Sequence, residues 1–262
     1  MQQNVSASSP ACIVFMVNRS SAMGRRCSSS QKTLADVAAD IVNETIFNLV
    51  IRSTKHVGGI VCDFFHAGVF GYGIVPSTEN EGVASALEGA ALTGGTIPSL
   101  SLLAMHPLRI ETCKSYLPDT PQRRPIWIDP IYGLRAPMCQ AFEEVGRHCA
   151  TWAAAHSKAF PPIVINITDG MAADDSPYKG DDVHQWIERI GRITTRLGSS
   201  KVFNIITTPD SVQPVLRPAS SASLTTPGWT IFQVASVLPD IAVGVWSSTA
   251  VQRIEHGREN GS

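Results

Sequence analysis

The sequence predicts an α/β fold: a doubly wound, mostly parallel sheet flanked by helices, with an insertion after the second strand. Three stretches carry that expectation. Residues 161–170 read Pro-Pro-Ile-Val-Ile-Asn-Ile-Thr-Asp-Gly. The prolines stop what precedes, and the near-continuous apolar run reads as a strand buried on both faces, as parallel strands are. Residues 12–17, Cys-Ile-Val-Phe-Met-Val, form a second such run and open into a loop of small polar residues. Between the two, Leu34, Val37, Ala38, Ile41, Val42, Thr45, Leu49 and Val50 recur at helical spacing over residues 33–52, the pattern of an amphipathic helix lying on a sheet.

In chain order, residues 1–10 are polar and read as a disordered leader without a signal-peptide pattern. The first strand and its loop, residues 18–24, follow, with Ser30 or a neighbour as the cap of the first helix. Residues 63–73 alternate large side chains and close on glycines, a second strand. Residues 74–124 have weak periodicity and much Gly, Ser, Thr and Pro. So long a stretch of loop character inside a domain marks an insertion, placed here on the surface. Residues 125–129 form a short strand, and residues 133–138 a second loop. A second helix follows over 138–156, with Phe142, Val145, Cys149 and Trp152 on one face. After the strand at 163–168, Asp181 is positioned to cap a third helix reaching Leu197, with Val183, Ile187, Ile190 and Ile193 inward. Residues 201–207 are another buried strand. A Pro/Ser/Thr-rich loop over 208–228, a helical or turn segment over 231–238 and a last strand over 241–246 complete one domain spanning 11–247. Residues 248–262 form a polar tail.

The 262 residues carry a net charge of −1, with 44% hydrophobic and 16% charged residues. There is no basic stripe for a nucleic acid, and no apolar run approaches the roughly 20 residues that span a bilayer. The six cysteines show no metal spacing and sit mostly in apolar runs, as buried thiols of a reducing compartment do. The expectation is a cytoplasmic protein with no nucleic-acid or membrane partner.

Three loops, residues 18–22, 133–137 and 168–170, fall at one edge of the sheet, where open α/β sheets hold their ligands. Asp169 ends the strand at that edge; its bland alternative role is to cap the following segment. The tracts Ile-Val-Phe-Met-Val-Asn-Arg-Ser-Ser-Ala-Met, Ile-Tyr-Gly-Leu-Arg-Ala-Pro-Met-Cys and Ile-Val-Ile-Asn-Ile-Thr-Asp-Gly, in that order, resemble the von Willebrand factor A (vWA) domain of the bacterial intracellular type. The likeness runs over about residues 11–207. It implies a site in which an Asp-x-Ser-x-Ser loop, a Thr and an Asp hold a divalent cation, usually magnesium, that receives a partner's carboxylate. This sequence departs from that pattern. Asn18 stands for the first Asp, Ala22 for the second Ser and Ala136 for the Thr, whereas Ser20 and Asp169 are retained. Thr96 is the alternative source of the second-loop oxygen.

Magnesium dehydrates reluctantly and is poorly held by one carboxylate and one hydroxyl. The expectation is therefore a degenerate site with no resident cofactor. If an ion binds at all, it binds weakly on Asn18, Ser20 and Asp169. What remains is a protein-binding edge formed by Asn18, Arg19, Ser20, Ser21, Arg135 and Asp169, with Arg19 and Arg135 taking a partner's carboxylate. The resemblance implies a multi-component intracellular setting, the partner being another protein such as an effector or an ATPase- or kinase-type component encoded nearby. Catalysis is not expected. Ser20 and Asp169 lack a Gly-x-Ser-x-Gly elbow or a late-loop histidine. No Walker lysine or Gly-x-Gly-x-x-Gly helix start is present. The scattered histidines have no zinc spacing.

Overall fold

The computed structural model describes residues 4–28, 30–54, 59–113, 122–175, 177–179 and 181–209. At its centre lies β1 (Ala11–Arg19), buried along almost its whole length. It pairs in parallel with β2 (Phe65–Val75) on one side and with β6 (Ile163–Thr168) on the other. The parallel strand β9 (Lys201–Ile206) lies beyond β6, and β3 (Asn80–Ser85) runs antiparallel at the opposite edge. The order is β3-β2-β1-β6-β9. The fold is thus the expected mostly parallel, Rossmann-like α/β sheet.

Helices cover both faces, which is why β1 reads as an unbroken apolar run. Alternate residues go to opposite sides. Cys12, Val14 and Met16 pack with Phe142, Val145 and Cys149 of α3 (Met138–Ala155) and with Ile187 and Ile190 of α4 (Val183–Gly191). Phe15 and Val17 pack with Leu34, Ala38, Val42 and Ile46 of α1 (Leu34–Thr54) and with Leu100 and Leu103 of α2 (Leu100–Met105). Each large side chain buried in this way contributes roughly 1.5–3 kcal/mol.

The helix starts are specific. The cap of α1 is Thr33 rather than Ser30. Its hydroxyl accepts from the Asp36 N–H at 3.1 Å, and the Asp36 carboxylate accepts the Thr33 N–H at 2.7 Å, a reciprocal box. α4 is capped by Asp182, whose side chain accepts from the His184 N–H, and not by Asp181. It also ends early. After Gly191 the chain turns through β7 (Thr194–Thr195) and β8 (Gly198–Ser199), an antiparallel pair, instead of continuing to Leu197. The β-branched run Ile193-Thr194-Thr195 and the left-handed Gly198 favour that turn over a helix.

The stretch expected to be an insertion of loop character, residues 74–124, contains regular structure, and its first two residues still belong to β2. Residues 80–85 add an edge strand to the main sheet, α2 buries two leucines on the α1 face, and β4 (Arg109–Cys113) with β5 (Gln122–Ile126) forms a separate hairpin. The short strand expected at 125–129 ends at Ile126. Trp127 and Ile128 instead enter the core, clipped by buried Asn43 of α1. The Asn43 side chain accepts both of their N–H groups, at 2.8 and 3.1 Å, and donates to the Ile128 carbonyl at 3.0 Å. Residues 4–10, read as leader, form a turn with a Ser6–Ser9 bridge, and Ser9 donates to the Lys158 carbonyl. The loop, turn, strand and tail expected beyond residue 209 lie outside the described residues.

Candidate functional site

Strands β1 and β6 are parallel neighbours, so their carboxyl ends open at the same edge, and the three loops expected there do meet. The Gly133 N–H donates to the Arg19 carbonyl at 2.8 Å, the Ser21 N–H to Leu134 O at 2.9 Å, and the Ala173 N–H to Ala136 O at 2.8 Å. Leu134 adopts a left-handed φ of 59°, which turns its side chain outward at the price of local strain.

Asn18 and Asp169 form the centre, both buried. The Asn18 amide donates to Asp169 Oδ1 at 3.0 Å and to Thr168 Oγ1 at 3.3 Å, while its Oδ1 accepts the Ser20 N–H at 2.8 Å. Turning the amide over would set its oxygen against the carboxylate and its NH2 against the Ser20 N–H, so this orientation is fixed by its neighbours. Asp169 Oδ1 also accepts the Met171 N–H at 3.3 Å. Its other oxygen, Oδ2, receives Nη2 of Arg25 at 3.0 Å, and Arg25 Nε donates to the Ala22 carbonyl at 3.0 Å. The Asp169 side chain is 1% exposed and that of Arg25 is 50% exposed. The buried carboxylate is therefore neutralised by a guanidinium that closes over it from the solvent side.

This donor set does not fit a magnesium site. Asn18 Oδ1 and Asp169 Oδ1 already accept hydrogen bonds, an ion on Oδ2 would sit against Arg25, and Ala22 and Ala136 have no oxygen to give. Of the groups in this set, the Ser20 hydroxyl makes no hydrogen bond to the described residues. No group of three or more His, Cys, Asp and Glu among them is placed to hold a metal.

The two arginines expected to meet a partner are placed differently. Arg19 is only 4% exposed and lies across Gly71 of β2, where a Cβ would fall 2.6 Å from its Cζ. Burial lowers its pKa to about 10, against the opposing pull of Glu88. It supports the edge and is not offered at it. Arg135 is half exposed but already committed, with Nε on Glu81 at 3.1 Å and Nη1 on Asp175 at 2.7 Å. It clasps the β3 edge to the loop after β6. Ser21 is exposed at the start of a 3-10 turn (Ser21–Gly24).

Several residues at this edge were not anticipated. Arg25 is one; the signal for it was the lone carboxylate, which needs a counter-charge once the first Asp of the pattern has become Asn18. Asp174 is another. It accepts the Cys139 and Gln140 N–H groups at 3.1 and 3.2 Å and so caps α3, whose own N-cap, Pro137, has no side chain to do so. A third feature is apolar. Tyr132, Leu134 and Met171 are 50%, 43% and 55% exposed. Tyr132 packs on Gly24 beside Arg25, and the other two are one hydrogen bond from Ser21 and Asp169.

No family model matches the chain, and no curated protein does. Among solved structures, it is similar to the manganese-loaded TRAP protein of Plasmodium vivax, with 17% identity and a TM-score of 0.33. The match covers 76% of this chain and 58% of that one, so the chain spans little more than half the length of that protein. A likeness at that level assigns neither a metal nor a function to these residues. Among the described residues no helix is long and apolar enough to cross a membrane.

Proposed function

We propose that this chain is a non-catalytic protein-binding module of vWA type, that its contact surface is the carboxyl edge of the sheet, and that it binds without a metal ion. The observation that carries the reading is the Arg25–Asp169 pair. Where the vWA pattern places a divalent cation, the chain supplies a fixed positive charge of its own. Arg25 is held by Asp169 and by the Ala22 carbonyl, and its Nη1 makes no hydrogen bond to the described residues. A partner's carboxylate can pair with that free edge while apolar side chains cover Tyr132, Leu134 and Met171. Arg25 thus takes the role first assigned to Arg19 and Arg135, both of which are otherwise engaged.

The setting this reading implies is a cytoplasmic adaptor or subunit in a bacterial multi-component system, with another protein as partner. A magnesium site on Asn18, Ser20 and Asp169 is the alternative, and it requires Arg25 to swing away and the Asn18 amide to turn. A hydrolase on Ser20 lacks its base, since no hydrogen bond joins Ser20 to a histidine among the described residues.

Affinity capture with the full chain as bait tests the reading. The same specific partner should be retained in EDTA and in magnesium, and lost with Arg25→Glu and with Leu134→Asp. Retention that requires the divalent ion, or that survives both substitutions, would contradict it.

A further inference from the structure

At the opposite end of the sheet, one histidine joins three elements. His66 of β2 accepts the Trp152 indole N–H on Nδ1 at 3.1 Å, and the Ile97 backbone of the insertion lies beside its ring and favours the charged form. A backbone bridge to Ser99 anchors the same segment. Trp152 stacks on His156 with centroids 4.4 Å apart, and His156 in turn meets His66 edge-on at 5.1 Å. A neutral His66 satisfies every one of these contacts. A protonated one cannot, because imidazolium carries N–H on both nitrogens and one of them then faces the indole N–H, donor against donor.

We propose that His66 is an acid-sensitive latch: its protonation breaks the bond to Trp152 and frees the last turn of α3 from β2, while residues 96–99 stay attached to β2 through the bridge at Ser99. The groups around it define the balance. Cys12, opposite it on β1, is a buried thiol held protonated, its pKa raised by burial and by Cys149. Trp152 and His156 face it from α3, and a charge on His156 would oppose one on His66. Asp63, in the segment entering β2, favours the charged form but is engaged by the Ser101 N–H at 2.9 Å. Burial leads the balance and lowers the His66 pKa below its usual value.

His148 is the internal control. It also ties the insertion to α3, with Nδ1 on the Thr96 hydroxyl at 2.8 Å and Nε2 near Glu144 at 3.2 Å. Both of those partners can accept from an imidazolium, so its protonation breaks nothing.

The test is a pH titration of the full chain from 8 to 5, following the Trp152 indole N–H by NMR with far-UV circular dichroism alongside. The indole protection factor should fall about tenfold or more between pH 6.5 and pH 5, the transition lying below the ordinary histidine value of about 6.5, with the fold retained. His66→Gln keeps an amide oxygen for the indole but does not titrate. It should hold protection to pH 5, whereas His148→Gln should behave as wild type. Undiminished protection in the wild type at pH 5 would overturn the proposal, as would a His66→Gln protein that opens at the same pH. Should His66→Gln fail to fold, the wild-type indole titration alone decides.

Discussion

Asn18 is the residue on which the chemistry of the edge turns. Its NH2 donates to the Asp169 carboxylate, so the pair carries a single negative charge that Arg25 answers. Replacing it by Asp removes a donor and sets two buried carboxylates about 3 Å apart. Such a pair cannot both ionise freely, and one pKa is driven up. Asn18→Asp should therefore lose about 2–4 kcal/mol of stability in chelator at neutral pH. The sign with pH follows from the raised folded-state value. The unfolded carboxyl ionises first, so the deficit should shrink as pH falls through the raised value toward that of a free carboxyl. Urea melts at a series of pH values check both points. A neutral Asn18→Asp, or a deficit that grows with acid, would mean that the two side chains do not face each other as described.

At the scale of elements, the single polar contacts that set how segments dock are the most exposed to test. Asn43 has all its bonds to the 127–128 segment inside the core, so Asn43→Ala should strand two backbone N–H groups and cost about 2–4 kcal/mol in urea melts. Asp174 caps α3 from a loop 34 or 35 residues away in sequence, and Asp174→Ala should cost about 1 kcal/mol. A loss confined to the experimental error in either case would remove that residue from the account.

These elements also mark where the sequence was informative. β1, β6, α1 and α3 were legible because burial on both faces or along one helical stripe leaves a strong periodicity. The meeting of the loops after β1 and β6 followed from strand direction, whereas residues 133–137 follow no strand of the main sheet and are held there by backbone hydrogen bonds to Arg19 and Ser21. β3 and α2 were read as part of a surface insertion because an edge strand and a six-residue helix bury too little to imprint a pattern. The early end of α4 was missed because its apolar spacing continues past Gly191, and only the turn at 194–199 breaks it. Arg25 and Asp174 act on groups remote in sequence, and no local pattern announces a contact of that kind.

For the whole molecule, the proposed function requires that Arg25, and not a divalent cation, stands against the Asp169 carboxylate. The measurement that tests this most directly is a calorimetric titration of magnesium, then manganese, into chelator-stripped full chain, with thermal melts alongside. No saturable heat and an unchanged Tm are expected at about 10 mM of either ion. An ion bound with a Kd near 0.1 mM would instead add about 2.7 kcal/mol at that concentration by linkage, a rise of roughly 5–10 °C for a domain of this size. A rise of that kind, absent in Asp169→Ala, would contradict the account and show that Arg25 yields the carboxylate to a metal.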